Sequence, residues 1–271
     1  MKDSAPDWFE TCVSHLTSEG TQRVWSVLVT IFGDLAQEET DQISGAVITA
    51  LTSLAGIKAE ATRVALHRLR KDGWIESTRK GRSSFHRLTA FGRHQSVTAA
   101  PRIYAKEAPE PGLWHVLIAS NSDSSRKELA DLMLTGDYIS LNPATSMAPG
   151  QVPAGLEELM GVESSAISVP GWLRDLCGPE ALKTAYDQFL RSTQIIDQEM
   201  PSEGAGDPMK TAILRVLIVH NWRRIVLRHP AFPAAFLPAD WKGPACRAAV
   251  SQLLEKLPRP DLTSLEAELD S

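Results

Sequence analysis

The sequence predicts an α+β chain in three parts: three helices closed by a β-hairpin, then a small α/β unit, then a helical segment. Three patterns lead to this. Residues 58–93 read as a helix, a glycine stop and a hairpin with a basic tip. Residues 113–141 hold apolar extended runs separated by a helical stretch, and from Pro179 onward apolar residues recur at helical spacing. A chain of 271 residues can bury more than one core. Its 43% hydrophobic and 23% charged residues are ordinary values for a globular protein.

The first part is expected over residues 18–100. Bulky apolar residues lie on one helical face from Thr21 to Ile31, which makes the first helix. Ser44 to Ala55 makes the second, and Gly56 allows a tight turn before Ile57. The third helix, about Lys58 to Lys71, has its buried stripe at Thr62, Ala65, Leu66 and Leu69. Arg63, His67 and Arg70 share a neighbouring stripe, and Glu60, Val64 and Lys71 lie opposite the buried one. Asp72-Gly73 ends this helix. Ile75–Thr78 and Ser84–Leu88 are short strands joined by Arg79-Lys80-Gly81-Arg82, where Gly81 takes a positive φ. Thr89 then caps a short helix containing Gly92-Arg93.

Charge gives this part its meaning. Residues 58–93 hold ten Lys/Arg against three acids, a charge of +7 in a chain of −5, so everything else carries −12. A basic helix face alone is ordinarily just solvated, and so is a basic hairpin tip. Their order, spacing and charge together are those of a winged helix-turn-helix, a recognition helix followed by a wing, set against double-stranded DNA. The candidate DNA-binding residues are Lys58, Arg63, Val64, His67, Arg70, Lys71, Arg79, Lys80 and Arg82.

Residues 101–112, with Pro101, Pro109, Pro111 and Gly112, fit a linker. The middle part, 113–175, begins with a strand at Leu113–Ser120. A helix follows at about Ser124–Leu134, capped by Ser124 or Ser125, then an extended run at Tyr138–Leu141 and a third at Ala166–Val169. The Pro-, Gly- and Ser-rich stretch Asn142–Gly155 is expected to be a mobile loop. The last part, 176–271, should be helical: one helix from Pro179, a break at Pro201–Pro208, a long helix closed by His229-Pro230, and a Pro-punctuated loop leading to a last helix. Cys12, Cys177 and Cys246 have no CxxC spacing, which fits apolar filling and a reducing cytoplasm. No apolar run approaches the roughly 18 residues needed to span a bilayer, and no signal pattern opens the chain.

Four stretches resemble the PaaX type of transcriptional repressor: VWSVLVTIFGD with the helix and GI turn after it; TRVALHRLRKDGWIESTRKGRSSFHRLTAFGR; RIYA ahead of LWHVLIAS; and HNWRRIVLRHPAFPAAFLPADWKG. The resemblance implies a ferredoxin-like (Cas2-like) central domain, a helical C-terminal domain and a homodimer. It also implies an operator-binding repressor of phenylacetate-type catabolism, released by an aryl acyl-CoA thioester. The family's C-terminal signature falls here on His220, Trp222, Arg223, Arg228, Pro230, Pro233, Leu237, Pro238, Asp240 and Trp241. Of these, His220, Arg223, Arg228 and Trp241 are the candidate ligand-binding residues, while Trp222 and Trp241 also suit packing. Arg215, Arg223, Arg224 and Arg228 crowd one helix, as a solvated face with ion pairs or as an anion site for a CoA phosphate. The middle part matches the family least: Gly112-Leu113-Trp114 stands where a Trp-Asp-Gly-x-Trp start is usual.

No GxSxG, HExxH, P-loop or Rossmann glycine pattern is present, so neither an enzyme nor a cofactor or metal is predicted. The alternative is a metal-dependent Cas2-like nuclease, with Asp123 after the first middle strand as its carboxylate. Asn121-Ser122 precede it and no partner carboxylate is evident, so a turn or capping role is the reading adopted.

Overall fold

The computed structural model describes residues 7–18, 23–107, 112–165 and 168–270. The fold is α+β. In chain order its elements are α1 (Trp8–Ser18), α2 (Val24–Leu35), β1 (Ile43–Ser44), α3 (Gly45–Leu54), α4 (Ala59–Lys71), β2 (Ile75–Lys80), β3 (Ser83–Leu88), α5 (Ala90–Tyr104), β4 (Trp114–Ala119), α6 (Asp123–Met133), β5 (Ile139–Asn142) and β6 (Thr145–Pro149). They continue with β7 (Leu159–Ser164), α7 (Gly171–Cys177), α8 (Glu180–Glu199), α9 (Pro208–Val226), a 3-10 turn (Ala234–Phe236), α10 (Gly243–Lys256) and α11 (Leu262–Asp270). Two compact units form. Unit 1 gathers residues 1–104, 189–223 and 245–271; unit 2 gathers 105–188 and 224–244. The C-terminal segment 176–271 is thus shared between the two.

Unit 1 is built around α2 and α9. Val27, Leu28, Ile31 and Phe32 of α2 are buried, as are Ala212 to Val219 of α9. Polar side chains are buried with them, Asp34 and Arg215 included. Asp34 on α2 is fully buried and takes two hydrogen bonds from Arg215 on α9, at 2.8 and 3.1 Å. Arg215 also donates to the Leu257 carbonyl after α10 at 2.9 Å, and Tyr104 at the end of α5 donates to Asp34 at 2.8 Å. Burial first, then the Asp34 charge, pushes the Tyr104 phenol far above its usual pKa, so it remains a donor. The expected solvated face therefore fails for Arg215, which is inside and fork-bonded to a carboxylate.

Several expectations change here. An extra helix, α1, precedes the predicted first one and buries Phe9, Cys12 and Leu16. Strand β1 was not foreseen; it pairs antiparallel with β3 and makes a three-stranded sheet in the order β1-β3-β2. Helix α5 is long rather than short. It runs through Pro101 to Tyr104, where the linker was expected to have begun. Pro101 costs one backbone hydrogen bond, but two side chains hold the far end: Trp222 donates to the Ile103 carbonyl at 2.9 Å, and Tyr104 reaches Asp34. Pro109 and Pro111 of the expected linker lie outside the described residues.

Unit 2 centres on a fully antiparallel sheet in the order β5-β6-β4-β7. Leu117 and Ala119 of β4 pack with Leu129 of α6 on one face. Met147 packs with Leu173, Cys177, Phe232 and Phe236 on the other. The stretch 142–155, expected to be a loop, contains β6, a central strand bonded on both sides. A strand stands at Leu159–Ser164; of the one expected at 166–169, Ala166 and Ile167 lie outside the described residues, and Ser168 and Val169 are not in a strand. Helix α6 is capped by Ser122, not Ser124 or Ser125; its hydroxyl accepts from the Ser125 amide at 3.2 Å. Helices α7 and α11 were also unforeseen, and α9 stops at Val226, before His229-Pro230.

All three cysteines are buried, and none is in a disulfide. Burial, then the charges of Glu199 and Asp7, pushes the Cys12 thiol up to about 11; burial alone does the same for Cys177. Because the native state holds these thiols protonated, their contribution to stability is complete below about pH 8.5, the unfolded value. It is lost as pH rises toward 11. In the native protein Cys12 should therefore resist alkylation at pH 8 and react only on unfolding, as thiol titration with and without urea will show. Asp34→Asn should cost about 3–5 kcal/mol in urea denaturation, because it leaves the Arg215 charge buried without its counter-charge; Asp34→Leu with Arg215→Met should recover much of that loss.

Candidate nucleic-acid interface

The interface is assembled within unit 1 by α3, α4 and the β2–β3 hairpin. Ser44 caps α3, accepting from the Val47 amide at 3.1 Å. After α3, Gly56 with φ 73° turns the chain into α4. Thr52 of α3 and Thr62 of α4 share a buried hydrogen bond of 2.9 Å that pins the two helices where they cross. Thr62, Ala65 and Leu69 of α4 are buried as expected. Leu66 is only half-buried and faces the hairpin, so it is not part of the buried stripe. Gly73, with φ 74°, ends α4, and the Trp74 amide closes back on the Leu69 carbonyl at 2.9 Å.

The strands of the hairpin are longer than expected, and the turn is only Gly81-Arg82, since Lys80 pairs with Ser83. Gly81 has φ 63°, and among the described residues no non-glycine residue has positive φ, which suits a turn needing it at its first position. A tight joint anchors the base of the hairpin. Thr89 donates to the Gly73 carbonyl at 2.6 Å and accepts from the Gly92 amide at 3.1 Å, capping α5 as predicted. Gly92 sits so close to this corner that a Cβ there would lie 2.3 Å from the Trp74 carbonyl oxygen.

All nine predicted residues, Lys58, Arg63, Val64, His67, Arg70, Lys71, Arg79, Lys80 and Arg82, are exposed, and all lie on α4, at its N-terminal cap or on the hairpin. Arg63, His67 and Arg70 line one groove of about 360 Å³ with Leu66, Ser77, Ser84 and His86. His86 is buried at its floor and hydrogen-bonded to Ser77 at 2.8 Å. Burial, then the Arg70 charge, lowers its pKa, so the groove gains no cation from it at neutral pH. Arg63 is paired with Glu60, Arg68 with Asp72 and Arg87 with Glu76. Lys80 donates to Gln42 at 3.3 Å and stands over the Phe85 ring. No side chain caps α4 at Lys58.

The predicted ligand residues fall in different places. His220 is fully buried in unit 1 and bonded to Thr30 at 3.3 Å. Arg223, half-buried, donates to Thr30 at 3.1 Å and lines a small cavity of about 50 Å³ with Asp34, Trp74, Ser96 and Tyr104. Burial lowers its pKa. Arg228 and Trp241 belong to unit 2, Arg228 exposed and Trp241 packed against Tyr186 with ring centres 4.4 Å apart. Trp222 is a core residue, as its packing reading required. Asp123 is exposed in the first turn of α6, and among the described residues no three His, Cys, Asp or Glu side chains are grouped to hold a metal ion. Among the described residues no helix is long and apolar enough to cross a membrane.

A solvent-facing cationic helix with a cationic hairpin beside it belongs to the class of surfaces that engage polyanions. The chain is a member of the PaaX family: residues 23–92 match the family described as PaaX-like protein, and residues 179–265 match the PaaX-like protein C-terminal domain, together more than half of the chain. It is 25% identical over 270 residues to the transcriptional repressor PaaX of Escherichia coli (strain K12), covering 92% of this chain and 84% of that protein. The uncharacterized protein Rv0674 of Mycobacterium tuberculosis shares the fold, with a TM-score of 0.53 at 20% identity over 90% of this chain and 97% of the other.

Gly92→Ala should open the joint between α5 and the hairpin, since a Cβ only 2.3 Å from the Trp74 carbonyl oxygen forces a backbone shift that neither that carbonyl nor the helix makes cheaply. A loss of about 1–3 kcal/mol in thermal denaturation is expected.

Proposed function

We propose that this protein is a cytoplasmic DNA-binding transcriptional regulator, a repressor of an aromatic-acid catabolic operon of the phenylacetate type. Residues 23–100 act as a winged helix-turn-helix, with α4 in the major groove and the hairpin as the wing. The observation that carries this reading is the joint exposure of nine predicted residues on α4, its cap and the hairpin, in a protein whose remaining charge is strongly negative. Arg63, Arg70 and His67 face the groove beside the wing and are assigned to base edges and nearby phosphates. Arg79, Lys80 and Arg82 at the tip are assigned to the backbone or an adjacent minor groove.

The strand order β5-β6-β4-β7 in unit 2, with α6 between β4 and β5, supports the ferredoxin-like reading of the middle part. We assign that sheet to the homodimer that a two-fold operator requires; Ile118, Met160 and Val162 on β4 and β7 supply exposed apolar surface there. By similarity to the family, an aryl acyl-CoA thioester is the releasing effector, binding better to an arrangement that does not hold DNA. Within the candidate set, Arg223 is best placed to meet an anion, with a guanidinium beside a cavity and a neutral hydroxyl as its hydrogen-bond partner.

Gel shifts against selected operator fragments across a salt series test the DNA reading. Arg63→Ala should cost about 1–3 kcal/mol and relax sequence preference, whereas Arg82→Ala should weaken all sequences alike and lower the salt slope by about one. Unchanged affinity in both variants would refute the assignment.

A further inference from the structure

We propose that Val64 reads the 5-methyl group of thymine in the major groove. This assignment rests on the DNA-binding reading above and adds to it the base that the centre of α4 selects. Val64 is 61% exposed, and apart from Ala59 at the first position the other exposed side chains of the helix are polar or charged. At 100° per residue, Glu60, Val64, His67 and Lys71 point away from the buried Thr62, Ala65 and Leu69, so they form the ridge that would enter a groove deepest. Two neighbouring positions on that ridge, one turn apart, are unsuited to phosphate: Glu60 repels it and Val64 offers it nothing. Both suit base edges. A glutamate accepts from the cytosine amino group, and a small apolar side chain meets the thymine methyl, the one apolar feature among the major-groove base edges.

The surroundings of Val64 fit the same occupant. It lines an open trough with Val24, Trp25, Ala61 and Ala65, whose charged lining is Arg23, Lys58, Arg68 and the single acid Glu60. An apolar strip flanked by three cations and one acid complements a duplex, which presents isolated methyl groups between two lines of phosphates. The cations would hold the backbone while the valine is pressed against the base edge.

The test begins with duplexes selected by the wild-type protein from a random pool, each thymine then replaced singly by deoxyuridine, which removes only the methyl group. Wild-type protein should bind one such duplex per half-site about fourfold more weakly, the worth of one methyl group shielded from water. Val64→Ala should bind the thymine and uracil forms alike at the weakened level, and Val64→Ile should keep the discrimination. An exposed helical valine tolerates both changes, and a thermal melt of each variant checks this. Indifference of the wild type to every uracil, or discrimination retained in Val64→Ala, overturns the assignment. Failure to select any duplex overturns the DNA-binding reading itself, and the thymine assignment with it.

Discussion

The buried Asp34–Arg215 pair is the constraint on which unit 1 depends. Removing both charges from water is costly, and the cost is offset by their attraction and a set of hydrogen bonds: two arginine hydrogen bonds and the Tyr104 hydroxyl on the carboxylate, and the Leu257 carbonyl on the guanidinium. Such a pair does little for net stability compared with an apolar replacement, but it is exacting about geometry. It lets α2, α5, α9 and the end of α10 meet in one arrangement. Residues distant in sequence, 34, 104, 215 and 257, are thereby held as one unit. Helix α2 packs against α4, so the exposed cationic helix takes its position from the same core.

The candidate interface shows how one helix serves two demands. Toward the core, α4 presents short or compact side chains, Thr62, Ala65 and Leu69, which allow close approach to its neighbours. Toward solvent it presents long cationic ones, and no acid outnumbers them locally. The hairpin repeats the arrangement: Ile75, His86 and Leu88 are buried at its base, while Arg79, Lys80 and Arg82 stand at the tip. The joint of Gly73, Trp74, Thr89 and Gly92 fixes the hairpin to α4 and α5 through the Thr89 hydroxyl and backbone hydrogen bonds. The two cationic surfaces are therefore presented by a helix and a paired hairpin, with Arg82 alone of the nine in the turn.

Much of the candidate site was legible in the sequence because its signals are local. The second helix from Ser44, the glycine turns at 56, 73 and 81 and the periodicity of α4 each depend on residues within a turn or two. What was missed depends on distant partners. Strand β1 has two residues and exists only because β3 lies beside it. Strand β6 crosses a stretch of poor strand formers, yet hydrogen bonds from β4 and β5 on both sides outweigh that composition. Helix α5 continues through Pro101 because Trp222 and Asp34 hold its last turn.

The sequence by itself determined which residues form a basic helix and hairpin, since charge and periodicity are properties of the chain read a few residues at a time. Only the tertiary structure decided that residues 189–223 and 245–271 share a core with residues 1–104. Only it showed that Arg215 is interior while Arg63 is exposed. Two arginines on helices look alike in one dimension. What separates them is whether folding brings a carboxylate to one of them out of reach of water, and that depends on contacts between residues far apart in the chain.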